Sequence, residues 1–208
     1  NNENDQTILG GSGDDSITMG YASLDSDDTI TGNAGTDTLT LTTMTGDIGE
    51  VNIDVERLAI SGAATSGTAT TVDLRNATTL NRVTVNLDNT ATNDSTEVDA
   101  NVTVNNMRQG TEVIVQNTFK ETTDVLTLDG AAGATSLSVK FDDTLTTSAT
   151  TEFVGQLTAN YDTLTLKTND SGTDISIAVL SASTNDTLNL SGAGDITITS
   201  ATNTTSID

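Results

Sequence analysis

Hydrophobic residues in this chain recur in pairs that are separated by a single residue. The clearest form is Asp-x-Leu-x-Leu, which occurs at 37–41, 124–128, 162–166 and 186–190, with a shortened version at 195–198. Looser pairs are Leu58/Ile60, Val72/Leu74, Val83/Val85, Val102/Val104, Val113/Val115, Leu137/Val139 and Ile175/Ile177. Residues at i and i+2 share one face of a strand but lie on different faces of a helix. Each pair therefore predicts a short strand with aliphatic residues facing inward and Thr, Ser or Asn facing outward.

The spacing of these pairs predicts how the strands are arranged. The intervals from Val102 to Leu126, from Val113 to Leu137 and from Leu164 to Leu188 are equal, at about 24 residues. A second pair often lies roughly midway, as Val113 does between Val102 and Leu126. We therefore predict an all-β fold, a parallel β-roll or β-solenoid whose two-strand coils of about 24 residues stack about 4.8 Å apart. Dividing the 208 residues by this period gives between eight and nine coils, with loops bulging at 61–71 and 144–152.

The composition favours a thin core and argues against several kinds of active site. Hydrophobic residues make up 34% of the chain and aromatic residues 2%, which is too little for a thick core. Disorder is disfavoured because about a fifth of the residues are Thr, and β-branched residues favour strands. Without His or Cys the chain has no typical zinc site and no thiolate nucleophile. The pair Asp142/Asp143 is a weak candidate for acid–base chemistry in so Asp-rich a chain, so we do not expect an enzyme.

The charge is strongly acidic and unevenly distributed. The chain has 30 acids and 7 bases, a net charge of −23, so it lacks the basic surface that binds nucleic acid or anionic membranes. No apolar run reaches transmembrane length, and we expect no membrane insertion. Twelve of the acids lie in residues 1–56, ahead of the first base, Arg57. A folded segment with this charge repels itself unless counter-ions neutralise it.

A glycine-rich motif within this acidic segment indicates what the counter-ion is. Residues 10–18 read GGSGDDSIT and match the nonapeptide G-G-x-G-x-D-x-U-x, where U is a large aliphatic residue. Residues 32–40 read GNAGTDTLT, and residues 28–31 are the tail of a third copy, one nonapeptide ahead of Asp37. Calcium prefers six to eight hard oxygen ligands, which glycine turns supply through carbonyls and Asp supplies through carboxylates.

We therefore predict a calcium site in this segment. Its predicted ligands are the backbone of Gly10, Gly11, Gly13, Gly32, Asn33 and Gly35, the carboxylates of Asp15, Asp28 and Asp37, and, as further candidates, Asp14, Asp25 and Asp27. The alternative is that Gly-Asp turns merely end strands. That alternative is preferred for Asp124, Asp162 and Asp186, which lack glycines ahead of them.

The nonapeptides resemble those of the RTX (repeats-in-toxin) family of calcium-binding parallel β-rolls, over about residues 8–41. The later repeats, and the run from Ile53 to Gly62, are similar to sequences of bacterial surface-layer (S-layer) proteins. We accordingly expect RTX-type calcium-binding coils at 1–45 and degenerate β-solenoid repeats at 46–208, in one continuous stack. The chain begins with Asn inside repeat-like sequence, and we expect it to be part of a longer protein.

The resemblance implies a structural role outside the cell. The expected function is a secreted segment of a self-assembling S-layer whose folding and assembly depend on Ca²⁺. Its partners would be further copies of itself, with a cell-surface glycan or anchor bound through other parts of the protein. The alternative is an RTX adhesin segment or a calcium-binding carbohydrate-recognition module of a secreted enzyme, although the scarcity of aromatic residues disfavours sugar stacking. An enzyme of the β-helix type is the least favoured hypothesis.

Overall fold

The computed structural model describes residues 5–44, 47–64, 70–86, 101–116, 122–142, 150–153, 155–169, 173–181 and 187–202. These residues form strands and one 3₁₀ turn at Tyr21–Ser23, and they contain no helix long and apolar enough to cross a membrane. The strands pair in parallel. The prediction of an all-β chain with parallel sheets is confirmed.

The described strands are numbered along the chain. They are β1 (Thr7–Leu9), β2 (Ser16–Gly20), β3 (Thr29–Thr31), β4 (Thr38–Met44), β5 (Asp47–Glu50), β6 (Asn52–Asp54), β7 (Arg57–Ala64), β8 (Thr70–Asp73), β9 (Arg82–Asn86), β10 (Asn101–Met107), β11 (Glu112–Gln116), β12 (Val125–Gly130), β13 (Ser136–Phe141), β14 (Thr150–Phe153), β15 (Gln156–Asn160), β16 (Thr163–Thr168), β17 (Thr173–Ile177), β18 (Val179–Ser181), β19 (Thr187–Ser191), β20 (Ile196–Ile198) and β21 (Ala201–Thr202).

Two long sheets run through the described part of the chain. One has eight strands in the order β2-β4-β7-β9-β11-β13-β16-β19, and the other has seven in the order β5-β8-β10-β12-β15-β18-β21. Two three-stranded sheets, β1-β3-β6 and β14-β17-β20, lie towards opposite ends of the chain. Because strands alternate between sheets along the chain and always pair in parallel with the next turn, the backbone winds as in a β-solenoid.

The register shows how far the chain travels between paired strands. Val102 pairs with Leu126 and Leu164 pairs with Leu188, which matches the period seen in the sequence. The offset varies, however. Among the described pairs it is shortest where Thr38 pairs with Arg57 and longest where Thr70 pairs with Val102. The sheets thus hold the register, while the connections between them differ in length.

The core lies between the sheets and consists mostly of aliphatic side chains, although three aromatic side chains are buried there as well among the described residues. In the eight-stranded sheet, Leu39, Leu58, Val83 and Val113 follow one another along a column and are all buried. The burial pattern alternates along the strands, as in β9, whose two valines are buried while its other residues are half-buried. Burying these side chains is the main stabilising contribution that so thin a structure has.

Three sequence-based expectations need correction. Val113 pairs with Val139 rather than with Leu137, so the step between these strands is longer than the period predicts. The loop predicted at 61–71 begins and ends in strands, because 61–64 belong to β7 and 70–71 to β8. Likewise 150–152 lie in β14 rather than in a loop, while 65–69 and 143–149 lie outside the described residues.

Candidate cation site at the glycine corners

Two corners of the chain stack on each other near its N-terminal end. The first corner (residues 10–15) joins β1 to β2, and the second corner (residues 32–37) joins β3 to β4. β2 pairs with β4, with Ser16 opposite Thr38, so the residues that precede them are in register as well. The structure therefore places the two complete nonapeptides side by side on adjacent turns.

Polar contacts join the two corners. The side-chain amide of Asn33 donates a hydrogen bond to the carbonyl oxygen of Gly10 at 2.8 Å. The backbone N–H of Thr36 donates to Oδ1 of Asp14, also at 2.8 Å. Asp14 is exposed, and this contact uses one of its oxygens to hold the two turns together.

Glycine is required at several positions because the corners approach so closely. A Cβ on Gly10 would lie 2.5 Å from the carbonyl oxygen of Gly32, and one on Gly35, whose φ is +136°, would lie 2.5 Å from the carbonyl oxygen of Gly13. A Cβ on Gly32 would overlap the carboxyl group of Asp37. At Gly13 nothing lies within 4 Å of an added Cβ, so that glycine has no steric requirement.

The two corner carboxylates, Asp15 and Asp37, occupy equivalent positions but have different surroundings. Asp15 Oδ2 accepts a hydrogen bond from the N–H of Gly11 at 2.6 Å, and Asp15 donates its own N–H to Asp37 Oδ1 at 2.8 Å. Asp37 is fully buried, and its Oδ2 has no hydrogen-bond partner. A buried carboxylate oxygen without a partner destabilises the fold unless something compensates it.

Sequence reasoning missed a third member of this column, Glu56. The N–H of Asp37 donates to Glu56 Oε2 at 2.8 Å, just as the N–H of Asp15 donates to Asp37. Glu56 immediately precedes β7, as Asp15 precedes β2 and Asp37 precedes β4. The sequence feature that could have identified Glu56 is an acidic residue directly before an aliphatic strand. No glycine precedes it, so it does not match the nonapeptide.

Asp28 lies in a different column from the glycine-corner carboxylates. It precedes β3, which pairs with β1 and β6 in a three-stranded sheet. Asp28 is buried, and its oxygens accept hydrogen bonds from the N–H of Gln6 at 2.7 Å and of Asp25 at 2.9 Å. Asp25 in turn accepts from the N–H of Asp27 at 3.0 Å. These three predicted ligands form a local turn network and do not join the glycine corners.

Bases in the described ranges do not neutralise the corner carboxylates. The ion pairs there are Arg75–Glu50, Arg75–Asp73, Arg82–Glu112 and Lys140–Asp142. None of them includes Asp15, Asp37 or Glu56. The negative charge of this column is therefore left without a side-chain cation among the described residues.

The donor set at the corners suits a hard divalent cation. No three acidic side chains in the described segments converge closely enough to hold a metal by themselves, so a bound ion would need backbone carbonyls or waters as well. Calcium accepts backbone carbonyls and waters together with carboxylates among its six to eight oxygen ligands. The buried, unpaired Oδ2 of Asp37 gives such an ion a charged ligand at the corner.

A second polar cluster, around Asp73, is satisfied by protein groups. Asp73 accepts hydrogen bonds from the Arg75 guanidinium at 2.6 Å and from the side chain of Asn106 at 2.7 Å, and Arg75 also reaches Glu50 at 2.5 Å. Burial raises the pKa of Asp73, but the hydrogen bonds from Arg75 and Asn106 and the charge of Arg75 outweigh it, so the pKa lies below its ordinary value. This cluster needs no ion.

The remaining acidic candidates lie apart from the corners. Asp124 and Asp162 accept hydrogen bonds through their carbonyl oxygens, from the N–H groups of Gln156 and Thr187, and Asp186 lies outside the described residues. Of the pair Asp142/Asp143, Asp142 forms an ion pair with Lys140 at 3.0 Å, and Asp143 is not among the described residues.

Comparisons with known proteins identify no relative of this chain. The chain has no significant match to any protein-family model, to any curated protein or to any solved structure.

Proposed function

We propose that this chain is a calcium-stabilised parallel β-roll, with coils of about 24 residues and calcium-binding nonapeptide turns, that serves as a structural segment of an extracellular surface layer. The observation that carries the proposal is the stacking of two glycine corners in register around a buried carboxylate oxygen of Asp37 that has no partner. An acidic column without side-chain cations among the described residues adds to it.

The corner residues would hold the ion from two adjacent turns. Carboxylates of Asp15 and Asp37 supply charge, while backbone carbonyls of the two corners supply neutral oxygens. Gly10, Gly32 and Gly35 let the backbones approach closely enough for both turns to contribute. When bound, calcium neutralises the repulsion between the turns and so strengthens their contact.

If folding depends on calcium, the chain would fold outside the cell rather than in the cytosol. An ion that binds only the folded state adds its binding free energy to stability. Sites in extracellular proteins typically bind calcium with dissociation constants of about 10⁻⁴ to 10⁻³ M. Such a chain stays loosely folded at low cytosolic calcium and folds after export, which favours a secreted, cell-surface protein.

Self-assembly fits a stack whose end strands have unpaired backbone groups. The outermost strands of the long sheets, β2 and β5 at one end and β19 and β21 at the other, each have a neighbour on one side only in the described structure. Such edges pair readily with further strands, either of another copy or of further coils of the same protein. We propose a structural, non-catalytic role in a lattice of identical chains, without nucleic acid or membrane as a partner, and with any glycan or anchor bound by other parts of the protein.

A calcium titration tests the ion. We expect circular dichroism to report folding that is strengthened by calcium and reversed by chelator, with residues 8–41 losing hydrogen-exchange protection first. Asp15→Ala and Asp37→Ala should each weaken calcium affinity in calorimetry, whereas Asp162→Ala, an exposed Asp before β16 without a glycine corner, should not. Unchanged affinity in both corner variants would refute the ligand assignment.

Electron microscopy of the full-length protein tests the lattice. An ordered sheet that forms with calcium and dissolves with chelator supports the surface layer. Persistent monomers, together with binding on a glycan array, would instead favour the adhesin or carbohydrate-recognition alternative.

A further inference from the structure

We infer that the cation-binding column continues to Glu56, so that a second divalent cation binds between the second and third turns of the chain. This inference rests on the proposed calcium function and adds a ligand that lies outside the glycine motif. Asp37 is then shared, facing one ion with Asp15 and the other with Glu56. The ligand is a hard divalent cation, because the donors are carboxylate and carbonyl oxygens.

The register places Glu56 in the same column as the motif carboxylates. Ser16 pairs with Thr38 and Thr38 pairs with Arg57, so the residues directly before them stack in the order Asp15, Asp37, Glu56. The same backbone-to-carboxylate hydrogen bond links each acid to the next, at 2.8 Å in both steps. Glu56 therefore has the position and the contact of a third motif Asp.

The unpaired oxygen of Asp37 is the charged ligand that the two ions would share. In the first corner, Asp15 Oδ2 is occupied by the N–H of Gly11 at 2.6 Å. In the second corner the equivalent residue, Asn33, has a φ of 75°, and Asp37 Oδ2 receives no hydrogen bond although Asp37 is fully buried. This oxygen points into the corner beside Gly32, whose N–H donates to the carbonyl of Asp54 in the third turn.

The third corner is shorter than the first two. The first and second corners span 10–15 and 32–37, but only Val55 and Glu56 separate β6 from β7. The third turn therefore contributes the carboxylate of Glu56 without a glycine loop. The next residue in register is Asn81, whose N–H donates to the Glu56 carbonyl at 2.9 Å. The run of carboxylates ends there, which limits this column to two ion positions.

Calorimetric stoichiometry with calcium alone tests the inference. Glu56→Gln should reduce the bound calcium by one ion per chain, Asp15→Asn should also reduce it by one, and Asp37→Asn should reduce it by two. Gln keeps an oxygen that can accept the Asp37 N–H, so a purely structural role for Glu56 would leave binding unchanged. Glu112→Gln is the matched control, because Glu112 pairs with Arg82 at 2.9 Å in another turn, and its stoichiometry should equal that of the wild type.

The outcomes separate this inference from the function on which it rests. If the wild type binds no calcium, the proposed function fails and the inference fails with it. If the wild type binds calcium and Glu56→Gln binds the same number of ions with the same affinity, the inference is overturned while the proposed function stands. The far-UV circular dichroism spectrum of Glu56→Gln at saturating calcium should equal that of the wild type, which ties any change in stoichiometry to the ion rather than to misfolding.

Discussion

Replacing Gly32 with Ala should disrupt the second corner by steric overlap alone. The added methyl group would overlap the Asp37 carboxyl group, with the Cγ and Cβ of Asp37 also closer than any normal contact. Asp37 is fully buried and accepts the Asp15 N–H at 2.8 Å, so it cannot move aside without breaking that bond. Overpacking of a tightly packed site costs about 1–3 kcal/mol.

Gly13→Ala provides the matched control, within the same motif in the adjacent turn. Nothing lies within 4 Å of its added methyl group, and Gly13 is not among the described glycines with positive φ. This variant should be neutral or more stable by about 0.4–1 kcal/mol, because Ala reduces the freedom of the unfolded chain.

Urea unfolding at one fixed, saturating calcium concentration measures both variants under the same conditions. At a slope of about 2 kcal/mol per M, a loss of about 2 kcal/mol lowers the midpoint by roughly 1 M. Gly32→Ala should show this shift and Gly13→Ala should not. Equal midpoints for the two variants would refute the argument that Asp37 packs against Gly32.

Two further predictions concern the rest of the stack. Leu126→Ala should lower the free energy of unfolding by about 2–5 kcal/mol, because Leu126 is fully buried. Thr127→Ala, on the outer face of the same strand, should change it by less than about 0.5 kcal/mol. Similar shifts in the thermal unfolding midpoint for both variants would contradict the assignment of inward and outward faces. The pKa of Asp73 is lower in the folded state than its ordinary value of 3.8, so the stability it contributes is present above that value and is lost as the pH falls through the folded pKa. Unfolding free energies measured from about pH 5 to about pH 2 should therefore fall more steeply for the wild type than for Asp73→Asn, and parallel curves would show that the Arg75 contacts are not formed.

The sequence predicts the face of each residue better than the partner of each strand. Alternation identifies Leu137 and Val139 as inward residues, and both are buried. A slip from one inward residue to the next keeps the same side chains inward, so the pattern cannot distinguish Leu137 from Val139 as the partner of Val113. The length of the corner between the sheets decides the register, and nothing in the alternation encodes that length.

The candidate site shows the same division between pattern and geometry. The glycines of the nonapeptides identified Asp15 and Asp37 as candidate ligands, because these glycines and the Asp that follows them repeat at the same spacing. Glu56 has no glycines ahead of it, and its position beside Asp37 follows only from the short connection between β6 and β7. Asp28 carries the motif position without the glycines, and its carboxylate accepts backbone N–H groups in another column.

The unequal spacing between paired strands has a mechanical consequence. Each turn contacts chiefly its neighbours, so force applied to the two ends should release turns one at a time rather than all together. At about 3.5 Å per extended residue, the step from Thr38 to Arg57 corresponds to a length increment of roughly 65 Å, and the step from Thr70 to Val102 to one of roughly 110 Å. A chain built in this way would lengthen in steps of different size and absorb strain without losing every contact at once.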